Sequence, residues 1–502
     1  MTRPSLLVFA PLRVEAAAIG RSPEWRLLRS GMGAQRARIA AARGLAVDNV
    51  RGLAVVGVCA AVAPELEPGD VVLASELRRP GHEPFPVPGS ALLAAALRRR
   101  GLKVHVGPLA SAERLTGPSE RRYLYDEGAI AVDMESAWLA DAADGRPLAV
   151  VRVVVERAER ELLDPRTAIA GVRALTALRR VGPALEEWAD ALGPKRILLA
   201  APRSFCAGVD RAIEIVELAL EQRGAPVYVR KQIVHNEHVV ADLERRGAVF
   251  VDELDEIPVG ATTVFSAHGV SPAVRELATE RGLNVIDATC PLVSKVHAES
   301  RRFAAAGNTV FLIGHEGHEE IEGTYGEAPE ATILVQDLRE AALVEAPDPS
   351  KVTYLTQTTL AVDETAQIVD ALKERYPALR GPSSDDICYA TTNRQQAVRE
   401  IAQESDLVLV VGSRTSSNSL RLVEVAEREG TPAYLVDDET EVDAAWLKGA
   451  TTVGLSAGAS APERLVHRLI DAFDALGGAE VDERTTTTES LRFRLPQQVA
   501  PR

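Results

Sequence analysis

The sequence predicts an α/β protein with largely parallel sheets, and three observations lead there. Short β-rich runs alternate with amphipathic helical runs along the whole chain: SLLVFA, LAVVGV and DVVLA early, then RILLAA, TTVFSA, NTVFLIG, DLVLVVG and TTVGLS. At 502 residues the chain exceeds one ordinary core and calls for two or more domains. Polar loops carrying Cys, His, Ser and Asn recur after the later strands, where open parallel sheets bind ligands.

Taken in order, the N-terminal run MTRPSLLVFAPLRVE is too short for a signal peptide and meets charge at Arg13 and Glu15. The longest apolar run, Gly52 to Ala63, is far below the roughly 20 residues of a membrane-spanning helix. A cytoplasmic protein is expected, with no membrane partner. A seam falls at Gly193 and Pro194, between a helix bearing Leu185 and Trp188 and the strand RILLAA, which divides the chain into 1–192 and 193–502. After Cys206, Val209, Ala212, Ile213, Val216 and Leu220 share one helical face and Gly224 stops the helix. At the far end, alternating Leu491, Phe493 and Leu495 predict a closing strand.

A formal charge of -15 argues against a nucleic-acid or anionic-membrane surface and leaves room for a local basic pocket. The expected ligand is a small molecule.

Four cysteines are too few for a disulfide framework. A lone cysteine in apolar surroundings is more often a small buried residue than a ligand. Cys206, Cys290 and Cys388, however, fall in what read as equivalent strand-to-helix loops of three successive parts of the second domain. A helix N-terminus favours thiolate over thiol and suits an anionic metal centre. Three thiolates without a fourth would leave one iron of a 4Fe-4S cube open as a Lewis acid. Spacing alone leaves zinc open, although the lack of a CxxC pair argues against zinc ribbons and bacterial ferredoxin sequences.

The second domain carries, in order, FCAGVDRAI, VHN, FSAHGV, DATCPLV, GHEGHEEIEGT, TQTTL, DDICYATTNRQ, SSNS and GASAPE. In these motifs it closely resembles the hydroxymethylbutenyl diphosphate reductase family of the methylerythritol phosphate route to isoprenoids. The resemblance implies a three-lobed α/β domain around one 4Fe-4S cluster. It also implies reductive loss of the hydroxyl of hydroxymethylbutenyl diphosphate, yielding isopentenyl and dimethylallyl diphosphates. By the same resemblance Cys206, Cys290 and Cys388 ligate the cluster, Glu320 donates a proton and Thr358 joins its delivery network. His235, His268, His318, Ser416, Ser417, Asn418 and Ser460 match the diphosphate pocket. Imidazolium, Ser and Asn donors would hold the diphosphate without magnesium. No flavin or nicotinamide motif is readable, so a ferredoxin or flavodoxin is the expected electron donor.

Plainer readings stand beside these. Each histidine alone could be a satisfied core residue, the glutamates from Glu316 to Glu322 a solvated helix face, and SSNS a helix cap. His238, His297 and His315 receive no role. A redox sensor or a hydro-lyase would use the same cluster without reductive turnover.

The first domain carries Glu15 in APLRVEAAAI, Gly31 and Gly33 in SGMGAQRA, GVCAAVAPELEPGDVVLAS and AVDMESAWLA. In these it resembles the nucleoside phosphorylase and nucleosidase superfamily, which implies a phosphorylase-like α/β/α domain. The resemblance places Met134 against a ribose, Glu135 on its hydroxyls, and the glycine loop at phosphate or nucleoside. GMG lacks the third glycine of a dinucleotide fingerprint. Two departures stand out: Ala60 and Ala61 replace the family's Gly-Gly, and Val155 and Glu156 replace its Ser-Asp. Glu156 could still act as acid toward a leaving base, and Cys59 is expected in the core. Two expectations follow for this domain, a glycosidic-bond-cleaving enzyme or a silent ligand-binding module.

Overall fold

The computed structural model describes residues 5–47, 49–159 and 167–500. The chain forms two compact units. One comprises Met1–Ile197 with Val436–Val453 and Arg464–Asp482, and the other Leu198–Leu435, Gly454–Glu463 and Glu483–Arg502.

The first unit is built on an eight-stranded sheet: β1 (Leu6–Ala10), β2 (Trp25–Arg29), β3 (Gly52–Ala61), β4 (Val71–Arg78), β5 (Phe85–Pro86), β6 (Val104–Ser111), β7 (Ala131–Asp133) and β8 (Leu148–Glu156). Its order is β2-β1-β3-β7-β6-β4-β5, with β8 parallel to β3 and antiparallel to β4. Leu7, Phe9, Leu53, Val55 and Val150 are buried in one core with Ala37, Ala40 and Ala41 of the helix Ala34–Leu45. The helix Thr167–Ala191 packs near β8, and Trp188 Nε1 donates to the Gly89 carbonyl at 3.1 Å. Helices over a mixed sheet give the α/β/α phosphorylase-like fold.

β9 (Lys195–Ala201) opens the second half and joins a five-stranded sheet with four later strands. A four-stranded parallel sheet follows, made of β10 (Val227–Arg230), β11 (Ala248–Val251), β12 (Thr262–Phe265) and β13 (Asn284–Asp287), in the order β11-β10-β12-β13. Next come β14 (Thr309–Ile313), β15 (Thr332–Val335) and β16 (Val352–Thr356), parallel and ordered β15-β14-β16. β17 (Leu407–Val411), β18 (Ala433–Val436), β19 (Thr452–Ala457) and β20 (Ala479–Thr485) complete the first of these sheets as β18-β17-β19-β9-β20. Three sheets thus make the three-lobed architecture, and the short apolar strands of each are what two-sided burial requires.

Two sequence expectations need correction. Residues 490–496 form no strand; the closing strand is β20, upstream. The tail is held by side chains instead: Arg211 Nε donates to the Arg494 carbonyl at 2.8 Å, Gln222 Nε2 to the Val499 carbonyl at 3.0 Å, and Val499 is fully buried. Of the alternating residues Leu491 is exposed and Phe493 and Leu495 are half-buried, so the alternation has no sheet face to serve, and main-chain anchors fix the tail instead. The second correction concerns Cys388. It does not follow a strand, because an irregular segment with one bridge between Arg380 and Thr353 leads into it from the helix Val362–Arg375.

Candidate active site

Each of the three cysteines is the N-cap of a helix: Cys206 before Ala207–Arg223, Cys290 before Pro291–Ala305 and Cys388 before Tyr389–Ala402. They line a single cavity of about 100 Å³ in the second unit. Free amides of the first helical turn point at each sulfur, Gly208 and Val209 at Cys206, Leu292 and Val293 at Cys290, and Thr391 at Cys388. Burial outweighs these donors and pushes the thiols up, to about 12 for Cys290 and about 11 for Cys388. Cys206 shifts the same way for the same reason.

The other residues of the cavity arrive from strand ends. His235 follows β10, His268 β12, His318 β14, Thr358 β16, Ser416, Ser417 and Asn418 β17, and Ser460 β19, all on the cavity wall. His235 and His268 stack with centroids 4.2 Å apart, and His318 meets them edge-on at 5.5 and 5.8 Å. Burial, with the neighbouring His268, holds both His235 and His318 down at about 3. His318 Nδ1 accepts from the Glu320 amide at 3.2 Å, capping the helix Glu319–Tyr325 and leaving Nε2–H to donate.

Glu320 is 2 % exposed and belongs to no solvated face. Its Oε1 accepts from the Thr358 amide at 2.7 Å and its Oε2 lies 2.9 Å from Thr358 Oγ1. Burial lifts its carboxyl to about 7 against these bonds. Ser416 caps the helix Ser417–Arg428 and also lines the cavity, so the cap reading of SSNS and the pocket reading coexist. Ser460 Oγ donates to the His235 carbonyl at 3.0 Å, and Asn418 Oδ1 accepts from the Ala459 amide at 2.9 Å.

Several residues of the site escape the motif roles. Thr391 Oγ1 lies 3.2 Å from Cys388 Sγ and accepts from Asn418 Nδ2 at 3.2 Å. Fully buried Arg394 holds the Ser204 carbonyl at 2.8 Å and Glu489 at 3.0 Å, anchoring the loop before Cys206 and the tail whose Phe493 lines the cavity. Glu319 accepts from His268. Thr391 and Arg394 both stand within the DDICYATTNRQ segment, where they were visible as part of a motif without a task.

In the first unit a cavity of about 280 Å³ gathers Glu15, Met134, Glu135 and Glu156 with Cys59 and Ala60. Glu15 Oε1 accepts from the Val58 amide at 2.8 Å and Oε2 from the Leu12 amide at 2.6 Å; burial raises its carboxyl although Arg152 opposes. Glu135 Oε1 takes the Gly33 amide at 2.8 Å, so that amide serves the protein and not a ligand; Gly31 has φ +76° and does not line the cavity. Burial lifts Glu135 to about 7. Arg152, fully buried in β8, sits 2.6 Å from Asp133 and 3.5 Å from Glu135. Burial works against its charge, and the carboxylates of Asp133, Glu135 and Glu15 more than offset that. One arginine in the apolar run LAVVRVVVE was the available signal for it. Glu156 pairs through Oε2 with Arg121 at 2.7 Å, while its buried Oε1 has no hydrogen-bond partner among the described residues. Cys59 belongs to the core cluster, its thiol pushed up by burial.

Three capped thiols, a buried acid and a wall of imidazole and hydroxyl donors around one cavity define a metal-centred enzyme acting on an anionic small molecule. The chain belongs to the LytB family, whose model matches residues 197–474. It is 58% identical over 323 residues to "4-hydroxy-3-methylbut-2-enyl diphosphate reductase 2" of Mycobacterium bovis, covering 64% of this chain and 98% of that protein. It is 60% identical over 308 residues to the 4-hydroxy-3-methylbut-2-enyl diphosphate reductase of Rhodococcus opacus, covering 61% of this chain and 92% of that protein. Among solved structures it resembles the E-1-hydroxy-2-methyl-but-2-enyl-4-diphosphate reductase of Plasmodium falciparum, with a TM-score of 0.59, 38% identity, and coverage of 61% of this chain and 97% of that one. A second model, described as the Phosphorylase superfamily, matches residues 17–181.

The family is one of 4Fe-4S enzymes, and the residues present fit such a group. Among the described residues, those whose donor atoms all fall within 4.8 Å of one another are His235, His268 and Glu319. Cys206, Cys290 and Cys388 each cap a helix at the wall of one cavity, a thiolate set that suits a cluster. Gly208 keeps the space open, since a Cβ there would lie 2.8 Å from Cys290 Sγ. Among the described residues no helix is long and apolar enough to cross a membrane.

Proposed function

We propose that residues 193–502 catalyse the two-electron reductive dehydroxylation of 4-hydroxy-3-methylbut-2-enyl diphosphate to isopentenyl and dimethylallyl diphosphates. The observation that carries this is the buried Glu320–Thr358 pair on the wall of the cavity shared by the three cysteines and three histidines. When bound through Cys206, Cys290 and Cys388, a 4Fe-4S cluster supplies electrons singly and a Lewis-acidic iron for the substrate hydroxyl.

The chain's own residues do the rest. His318 through Nε2–H, with Ser416, Ser417, Asn418 and Ser460, orients the diphosphate by donated hydrogen bonds. With Glu320 protonated, Oε2–H donates to Thr358 Oγ1 and the Thr358 hydroxyl donates onward to the leaving oxygen. The C–O bond breaks and the hydroxyl departs as water; two electrons and a second proton, added at either end of the allyl unit, complete the two products. Burial of Glu320 keeps the acid protonated near neutrality and excludes bulk water from the transfer.

Anaerobically reconstituted protein should convert hydroxymethylbutenyl diphosphate only when a reductant is supplied, with reduced ferredoxin or flavodoxin as the protein donor. Turnover without reductant would sink the reductase reading in favour of a hydro-lyase, and a loaded protein inert toward substrate would favour a sensor.

Residues 1–192 support a second site. Glu15, Met134, Glu135 and Glu156 meet at one cavity, which favours a nucleoside-type ligand there. Incubating the full chain with adenosine-type nucleosides, with and without phosphate, tests for cleavage; base release abolished by Glu135→Ala establishes it, and ligand binding without base release leaves a silent module.

A further inference from the structure

Glu319 stands one residue before the proton donor, on the same helix, and points elsewhere. Its Oε2 lies 3.2 Å from His268 Nδ1 and 3.3 Å from Ser266 Oγ. Burial works against its charge, yet hydrogen bonds from His268 and Ser266 and the nearby histidines hold its carboxyl below the usual range. The other groups facing His268 are His235, stacked on it, His318, edge-on, and Glu320, whose carboxyl feels His268 electrostatically.

The three imidazoles are therefore not equivalent. His318 spends Nδ1 as an acceptor for the Glu320 amide. Among the described residues, His235 Nδ1 meets the side-chain oxygen of Gln232 at 3.4 Å, and of the three rings it is His268 that has a carboxylate on a ring nitrogen. An imidazole whose Nδ1–H is engaged by a carboxylate has its ring orientation set and its second nitrogen left for the ligand. A single cation shared by His235, His268 and Glu319 fits less well. Rings stacked at an interplanar angle of 23° aim their in-plane lone pairs side by side, not at one point.

We propose that Glu319 is a positioning residue whose carboxylate engages His268 Nδ1 and so sets the ring, turning its Nε2 toward the diphosphate. This rests on the diphosphate reading of the cavity given above. Glu319 touches neither substrate nor leaving group; it acts through His268, as a carboxylate acts through a metal-bound histidine.

The test uses the cluster-loaded full chain and inorganic pyrophosphate, with calorimetric affinity as the first readout. Glu319→Gln keeps the shape and an acceptor oxygen but removes the charge. Its pyrophosphate affinity should fall about tenfold while the visible spectrum of the cluster is unchanged. In turnover its KM should rise by a similar factor with kcat within about threefold of the parent, the signature of lost ground-state binding. Equal pyrophosphate affinity in Glu319→Gln and the parent overturns the proposal, as does a fall in kcat at constant KM. If Glu319→Gln fails to load its cluster, Glu319→Asp replaces it: the charge remains but stands one methylene short of Nδ1, and weaker binding is again expected and unchanged binding again fatal. Absence of pyrophosphate binding in the parent overturns the diphosphate reading itself, which separates the two failures.

Discussion

Thr358 binds Glu320 twice, its amide on one carboxyl oxygen at 2.7 Å and its hydroxyl on the other at 2.9 Å. Two bonds from one residue fix both the position and the plane of the carboxyl group, so the proton it carries has one defined exit, through the threonine hydroxyl.

Glu320→Gln should keep cluster and substrate binding and lose about 10²- to 10⁴-fold in kcat. A rate near that of the parent removes the proton-donor role. In the parent, kcat should fall as pH rises through about 7, where the buried acid ionises. Stability follows the same direction: the folded pKa lies above the ordinary carboxyl value of 4.5, so the protonated form favours the fold and stability declines between 4.5 and about 7. Denaturant midpoints of parent and Glu320→Gln should diverge across that window; parallel curves would show the burial to be weaker than the structure implies.

Replacing Thr358 separates its two bonds. Thr358→Ser keeps amide and hydroxyl and should retain most activity, while Thr358→Val keeps only the amide and should lose about 10²-fold in kcat. Equal rates for the two variants would confine the threonine to a structural role.

Gly208 is a packing test of the cluster site. An alanine Cβ would press on Cys290 Sγ at 2.8 Å and come within 3.8 Å of Cys206 Sγ. Gly208→Ala should lower iron affinity about 10- to 100-fold with the helix Ala207–Arg223 intact. Iron and sulfide per chain, with far-ultraviolet circular dichroism as control, decide it; full cluster content would mean the sulfurs yield at no cost.

Arg152 tests the first unit. Removing it leaves Asp133, Glu135 and Glu15 buried without their counter-charge, and Arg152→Met should cost about 3–5 kcal/mol. All four tryptophans, Trp25, Trp138, Trp188 and Trp446, belong to this unit, so tryptophan fluorescence in urea follows its unfolding. An unchanged midpoint would mean that the acids protonate and absorb the loss.

Much of the site was legible because its residues sit in loops between strongly patterned elements. Cys206, Cys290, His235, His268 and Ser460 stand just after strands, where a short apolar run announces the strand and a polar break announces its end. Cys388 was placed correctly at a helix start but for a partly wrong reason, since an irregular segment precedes it. The tail misled because Leu491, Phe493 and Leu495 alternate as in a strand while Arg211 and Gln222 hold its carbonyls. Periodicity does not separate Glu319 from Glu320, and only the family resemblance singled out Glu320: adjacent positions on a helix face directions about 100° apart, and packing says which is buried.

Local order along the chain determined the α/β class, the strand-and-helix sequence and the cysteines at helix starts, because periodicity, caps and glycine stops act within a few residues. What only tertiary structure decided is which of these loops share a cavity, that Glu320 is bonded to Thr358, and that Glu319 reaches the ring of His268. Those facts arise from contacts between residues far apart in sequence, where burial and pairing, not propensity, set the charge each group carries.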